Sequence, residues 1–150
     1  MMMRRRGFRD GGVWLAAALV LGGGIVACDE DPVDADLGLE GGVLATFRVG
    51  TEQFKVWTVD SAAVASLLAL ESGTSLANIP NGAIKQGSGL ASHNAPWSWH
   101  LDPQDIQMAE NTIEVCDGQP SYVEAHLADF LQIGRYCPWG ATLVDVEDLR

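Results

Sequence analysis

Positive charge is what this chain has least of. Its 150 residues include nine Lys and Arg against twenty Asp and Glu, and four of the nine are Arg4, Arg5, Arg6 and Arg9. Setting aside residues 1–27, which hold those four and one acid, leaves five basic residues against nineteen acidic ones, a formal charge of −14. The five, Arg48, Lys55, Lys85, Arg135 and Arg150, form no cluster in sequence. Binding nucleic acid or anionic headgroups through the protein surface needs clustered cations that displace counterions, so both are excluded as partners of that surface. A cationic ligand or partner is easier to accommodate.

Three further absences narrow the function. The apolar run at residues 13–26 is broken by Gly22, Gly23 and Gly24 and falls short of the roughly 20 residues a spanning helix needs. There is no G-x-S-x-G elbow, P-loop or dinucleotide fingerprint, and Gly87-Ser88-Gly89 has no strand-to-helix context, so nucleophilic catalysis and nucleotide binding have no candidate. Cysteine is scarce: Cys28, Cys116 and Cys137 are the only three. Two of them without a third or fourth ligand nearby do not make a zinc site, and no metal or other cofactor is called for.

What is present begins with the amino terminus. Arginines at residues 4–9, the apolar run and then Ile25-Val26-Ala27-Cys28 resemble a bacterial lipoprotein signal with its lipobox. Residues 1–27 are therefore expected to be a signal peptide cut off in front of Cys28, which becomes the lipid-bearing terminus. This places the protein in the cell envelope as an exported lipoprotein on the extracytoplasmic face, with the membrane as a partner through the lipid on Cys28. Residues 28–42 carry six acids among Pro32, Gly38, Gly41 and Gly42, the composition of an acidic flexible tether.

Residues 43–150 are enough for a single domain with one modest core, with no internal repeat. Val43, Ala45, Phe47 and Val49 alternate with Leu44, Thr46 and Arg48, which predicts a strand with one buried face. Gly50-Thr51-Glu52 then turns into a second strand over residues 54–59, an antiparallel hairpin. Asp60 or Ser61 caps a helix carrying Val64, Leu67 and Leu68 that stops at Gly73. A short strand is expected near residues 83–86, and a strand placing Trp97, Trp99 and Leu101 on one face ends where Asp102-Pro103 starts a turn. Residues 111–116 read as another strand, with Ile113 and Val115 on one side. Ser121 and Glu124 match a capping box for a helix that buries Val123, Leu127, Phe130 and Leu131 and packs His126 between core positions. A last strand covers residues 141–146. The order predicts an α+β domain with a mainly antiparallel sheet and two helices on one face.

Once Cys28 is acylated, Cys116 and Cys137 are the only remaining thiols, and in an oxidising compartment they are expected to pair as a disulfide. Trp139, held beside it by Pro138, is expected to be partly exposed and to serve as a ligand-binding or partner-binding aromatic, able to receive a cation or anchor a protein. A rival, enzymatic reading uses His100 and Asp102 on one strand face. If the strand of Glu114 lies alongside, the three converge as a metal-dependent or acid-base hydrolase.

The stretches NAPWSWHLDP (residues 94–103), IEVCDGQPSYVEAHL (residues 113–127) and YCPW (residues 136–139) resemble a group of small, often secreted bacterial domains similar to the N-terminal domain of a eukaryotic calmodulin-binding protein. The likeness spans most of the chain after Val43. It implies a calmodulin-binding type of role and brings no catalytic or ligand residue to carry over. The reading that the whole sequence favours is a lipid-anchored, extracytoplasmic, non-enzymatic binding module. Its partner would be an envelope protein, a peptide or a cationic ligand.

Overall fold

The computed structural model describes residues 38–150. The expected signal peptide, Cys28 and most of the tether lie outside the described residues. In chain order the elements are β1 (Val43–Val49), β2 (Glu52–Thr58), α1 (Ser61–Glu71), β3 (Ile79–Gln86), β4 (Trp99–Ala109), α2 (Pro120–Ala125), α3 (Leu127–Ile133), β5 (Arg135–Tyr136) and β6 (Ala141–Asp148). They build two antiparallel three-stranded sheets, ordered β2-β1-β6 and β4-β3-β5. The α+β class is as the sequence predicts, with the strands divided between two sheets.

β1 and β2 form the expected hairpin, with Val43 opposite Thr58 and Val49 opposite Glu52. Gly50 takes φ +62°, a left-handed conformation glycine adopts without steric cost. The single buried face predicted for β1 is not what forms: only Arg48 is exposed. β1 is the central strand, and while Val43, Ala45, Phe47 and Val49 enter the main core, Leu44 on the other face packs with Trp57 and Leu39. Leu39 is only 3% exposed. Behind it the Gly41 N–H donates to the Leu149 carbonyl (2.8 Å) and the Leu149 N–H to the Gly42 carbonyl (2.9 Å). A side chain on Gly42 would run into the Trp57 ring and the Thr58 carbonyl oxygen. The last four residues assigned to the tether are thus part of the folded domain, because Leu39 supplies the cover that the second face of β1 needs.

α1 starts as expected, with the Asp60 carboxylate accepting from the Ala62 and Ala63 amides at 3.0 and 2.9 Å, and it buries Ala63, Val64 and Leu67. β3 is longer than predicted and includes Pro80, Asn81 and Gly82. β4 starts at Trp99, leaving Trp97 outside it, and does not turn at Asp102-Pro103. Ile84 pairs with Leu101 and Gly82 with Ile106, so residues 102–105 bulge out while Ala83 pairs with Arg135 of β5. Proline fits there because a bulge needs no ladder donor from it. The bulge also joins the sheets: the Thr58 hydroxyl donates to the Pro103 carbonyl at 2.8 Å. The Asn94 side-chain oxygen takes the Lys55 amide and the Trp97 indole N–H reaches the Gln53 carbonyl, so side chains occupy the edge of β2.

The strand predicted over residues 111–116 is absent. Residues 111–113 are irregular and Glu114–Cys116 is a single 3-10 turn, which leaves Ile113 and Val115 exposed. The cause is the cross-link: Cys116 is tied to Cys137, whose N–H also bonds the Cys116 carbonyl (2.8 Å), which holds the segment away from any sheet edge.

The capping box also does not form. Pro120 is the first residue of α2, where its missing N–H costs nothing, and the carboxylate of Glu52 on β2 takes the Ser121 amide (2.8 Å) and hydroxyl (2.7 Å). Glu124 instead accepts from the Ser98 amide (2.9 Å). The predicted helix divides at His126, whose backbone (φ −123°, ψ 29°) is not helical. Val123 and Phe130 are buried as expected, whereas Leu131 is exposed. The core between the layers is aromatic: Phe47, Phe54, Trp99, Tyr136 and Phe130 contact in sequence, the closest rings being Trp99 and Tyr136 at 5.0 Å. The Tyr136 hydroxyl donates to the Gly118 carbonyl, and burial keeps that phenol un-ionised far above its ordinary range.

Candidate functional site

The exposed chemistry gathers where residues 110–117 meet the segment after β5. Cys116 and Cys137 are disulfide-bonded with their Cα atoms 5.1 Å apart, and with Ile79 and Ala109 they make a small apolar cluster. Three large side chains stand outside it: Ile113 is 67% exposed, Val115 60% and Trp139 42%. Trp139 is positioned from two sides. Pro138 before it is buried, and its own N–H donates to the Asp117 carboxylate at 2.9 Å. The backbone of Ile113 sits against the cross-link, its carbonyl oxygen 3.4 and 3.5 Å from the two cysteine sulfurs. The disulfide thus fixes an apolar surface without hiding it.

Against Trp139 lies a cavity of about 120 Å³ lined by Ile79, Glu110, Asn111, Thr112 and the indole. Glu110 is exposed, and among the described residues neither a hydrogen bond nor an ion pair engages its carboxylate. The Thr112 hydroxyl is buried with no hydrogen-bond partner there. Glu110, Glu114 and Asp117 make the surroundings acidic, and no Lys or Arg occurs between Lys85 and Arg135.

The enzymatic constellation is not assembled. His100 pairs across the sheet with Lys85, and its Nδ1 lies 2.6 Å from the Gly87 carbonyl. Asp102 sits in the bulge, 3.5 Å from the Lys85 ammonium, and accepts from the Gln104 amide. Glu114 is on the 3-10 turn beside Cys116, which packs on Ile79 at the opposite end of β3. Six strand steps separate that end from Lys85, about 20 Å at the usual rise. Among the described residues no three His, Cys, Asp or Glu side chains are grouped to hold a metal ion.

The other singled-out residues have structural partners. Trp99 is fully buried, whereas Trp97 is half-buried. His126 is exposed, not packed in the core as expected: its ring stacks on Tyr122 at 4.1 Å and its Nδ1 meets the Tyr122 carbonyl. His93 is buried, with Nδ1 at 3.0 Å from the Leu90 carbonyl and its ring edge-on to His100 at 5.9 Å. Desolvation pushes its pKa below the ordinary histidine value, with the Leu90 contact opposing and His100 and Lys55 adding to the fall. Two wider grooves of about 350 Å³ flank α1. In the first, Asp60 is taken by the helix cap and Asp105 by Arg135 at 2.9 Å.

Sequence reasoning singled out Trp139 but missed Glu110 and Thr112, which carry no motif, and assigned Ile113 and Val115 to a strand because their alternation is that of a strand. Comparison with known proteins adds a family. No curated protein and no solved structure matches this chain. The model of a calmodulin-binding-protein-like N-terminal domain matches it over residues 43–150, nearly the whole described fold and all of the corner around Trp139. The chain belongs to the family of that calmodulin-binding-protein-like N-terminal domain.

Proposed function

We propose that this protein is a lipid-anchored, extracytoplasmic interaction module, non-enzymatic, that holds a protein or peptide partner on the surface around Trp139. The observation that carries the reading is the disulfide-pinned set of Trp139, Ile113 and Val115. These are large apolar side chains kept in solvent by rigid backbone, a cost in hydration that a partner would relieve. The lipobox-like Ile25-Val26-Ala27-Cys28 supports the anchor, and the charge of −14 after residue 27 supports a basic partner. Helices bound by calmodulin present a basic amphipathic face, and α1, α2 and α3 contain no Lys or Arg, so the partner surface is not assigned to a helix.

The test is site-specific photo-crosslinking in the native host. A benzophenone amino acid at Val115 should give a discrete adduct, the same residue at Ser66 on α1 should not, and Trp139→Ala should abolish the Val115 adduct. Equal labelling from both positions, or none from Val115, would end this reading.

A further inference from the structure

We infer that the cavity beside Trp139 is a receptor for one primary ammonium group, the side chain of a lysine on the partner. This rests on the interaction-module reading and specifies its chemistry. At about 120 Å³, and with roughly 30 Å³ per water in the liquid, the cavity holds about four heavy atoms, the outer half of a lysine side chain. Its walls divide as that side chain does. Ile79 and the Trp139 ring offer apolar and π surface to methylenes and to a cation over the indole face. Glu110, Asn111 and Thr112 offer oxygens, and an ammonium has three donors to distribute among them. Glu110 supplies a carboxylate with no cation of its own among the described residues, and Thr112 supplies a buried hydroxyl with no partner there. An ammonium would satisfy both. Nor does this part of the chain hold a basic residue to fill the role internally, since residues 86–134 contain neither Lys nor Arg.

A compact ammonium is preferred to a guanidinium on the same grounds. Arginine is at its best with a planar, bidentate carboxylate partner, while the oxygens here come from three different side chains around a small volume. The acidic neighbours Glu114 and Asp117 raise the local concentration of cations without entering the cavity.

The probe is Nα-acetyl-lysine-N-methylamide, titrated into the full chain in neutral detergent with the disulfide formed, and followed by the Trp139 indole N–H resonance, assigned with Trp139→Phe. The lysine probe should shift that resonance saturably. Its Nζ-acetylated form, the norleucine analogue and the arginine analogue should bind at least about tenfold more weakly, and Glu110→Gln should weaken the lysine probe by a similar factor. Equal binding of lysine and norleucine, no effect of Glu110→Gln, or no response to lysine would each overturn the inference. In those cases a Val115 crosslink that still depends on Trp139 would leave the interaction surface standing without its ammonium site, and loss of that crosslink would remove both.

Discussion

His93 lies in a loop whose shape depends on it. Its ring packs over Gly89, which at φ +81° leaves no room for a side chain, and the next residue, Asn94, is buried and bridges the Lys55 amide and the Trp99 carbonyl. Because the folded-state pKa of His93 is depressed below the ordinary value of 6.5, the unfolded chain takes up the proton first as pH falls. The stability owed to the neutral ring is therefore whole above pH 6.5 and is lost as pH drops below it through the folded value, with a slope of at most about 1.4 kcal/mol per pH unit. The difference in melting temperature between wild type and His93→Gln should shrink steadily from about pH 7.5 to about pH 5 in urea-free buffer. Parallel curves would show that His93 does not titrate with unfolding. Nothing in Gly87-Ser88-Gly89 or in His93 itself marks this coupling in the sequence, since the ring is buried by residues distant along the chain.

At the scale of elements, helix starts are held differently from one another. α1 is capped from within by Asp60, a local arrangement that sequence displays directly. α2 is capped by Glu52, sixty-nine residues before Ser121, and no spacing rule can find such a partner. A double-mutant cycle should therefore give about 1 kcal/mol or more of coupling between Glu52→Gln and Ser121→Ala and none between Ser121→Ala and Glu124→Gln. Coupling in the second pair would restore the capping box. The same contrast explains what was legible. The β1–β2 hairpin, α1 and β6 follow from period and turn residues close in sequence. The Asn111 to Cys116 segment fails because alternation records where apolar residues fall and not whether a neighbouring strand exists to receive them. The bulge at Asp102 to Asp105 fails because its cause is Ala83 pairing with Arg135 on the other side of β3. Of the candidate site, Trp139 and the disulfide were legible. Glu110 and Thr112 became part of it only through folding.

For the molecule as a whole, the opening segment is where chemistry outside the fold meets it. Cys28 is expected to carry acyl chains, so growing cells given an alkyne-tagged palmitate should label the wild-type chain and leave Cys28→Ser unlabelled and out of the membrane fraction. Labelling of Cys28→Ser would dispose of the anchor. Leu39, the first buried residue of the fold, enters it at the Val43 end of β1. β1 runs antiparallel to β6, whose first residue, Ala141, pairs with Val49. Trp139 precedes Ala141 by two residues and so lies near the far end of the same sheet, about 20 Å from the entry by strand rise. A pull between a tethered amino terminus and a partner gripping Trp139 would act along β1 and β6 in opposite directions. It would load their ladder of hydrogen bonds together in shear, where a pull on both strands from one end would open them one at a time. The domain is wired as a mechanical link, strongest along the line that joins its leash to its grip.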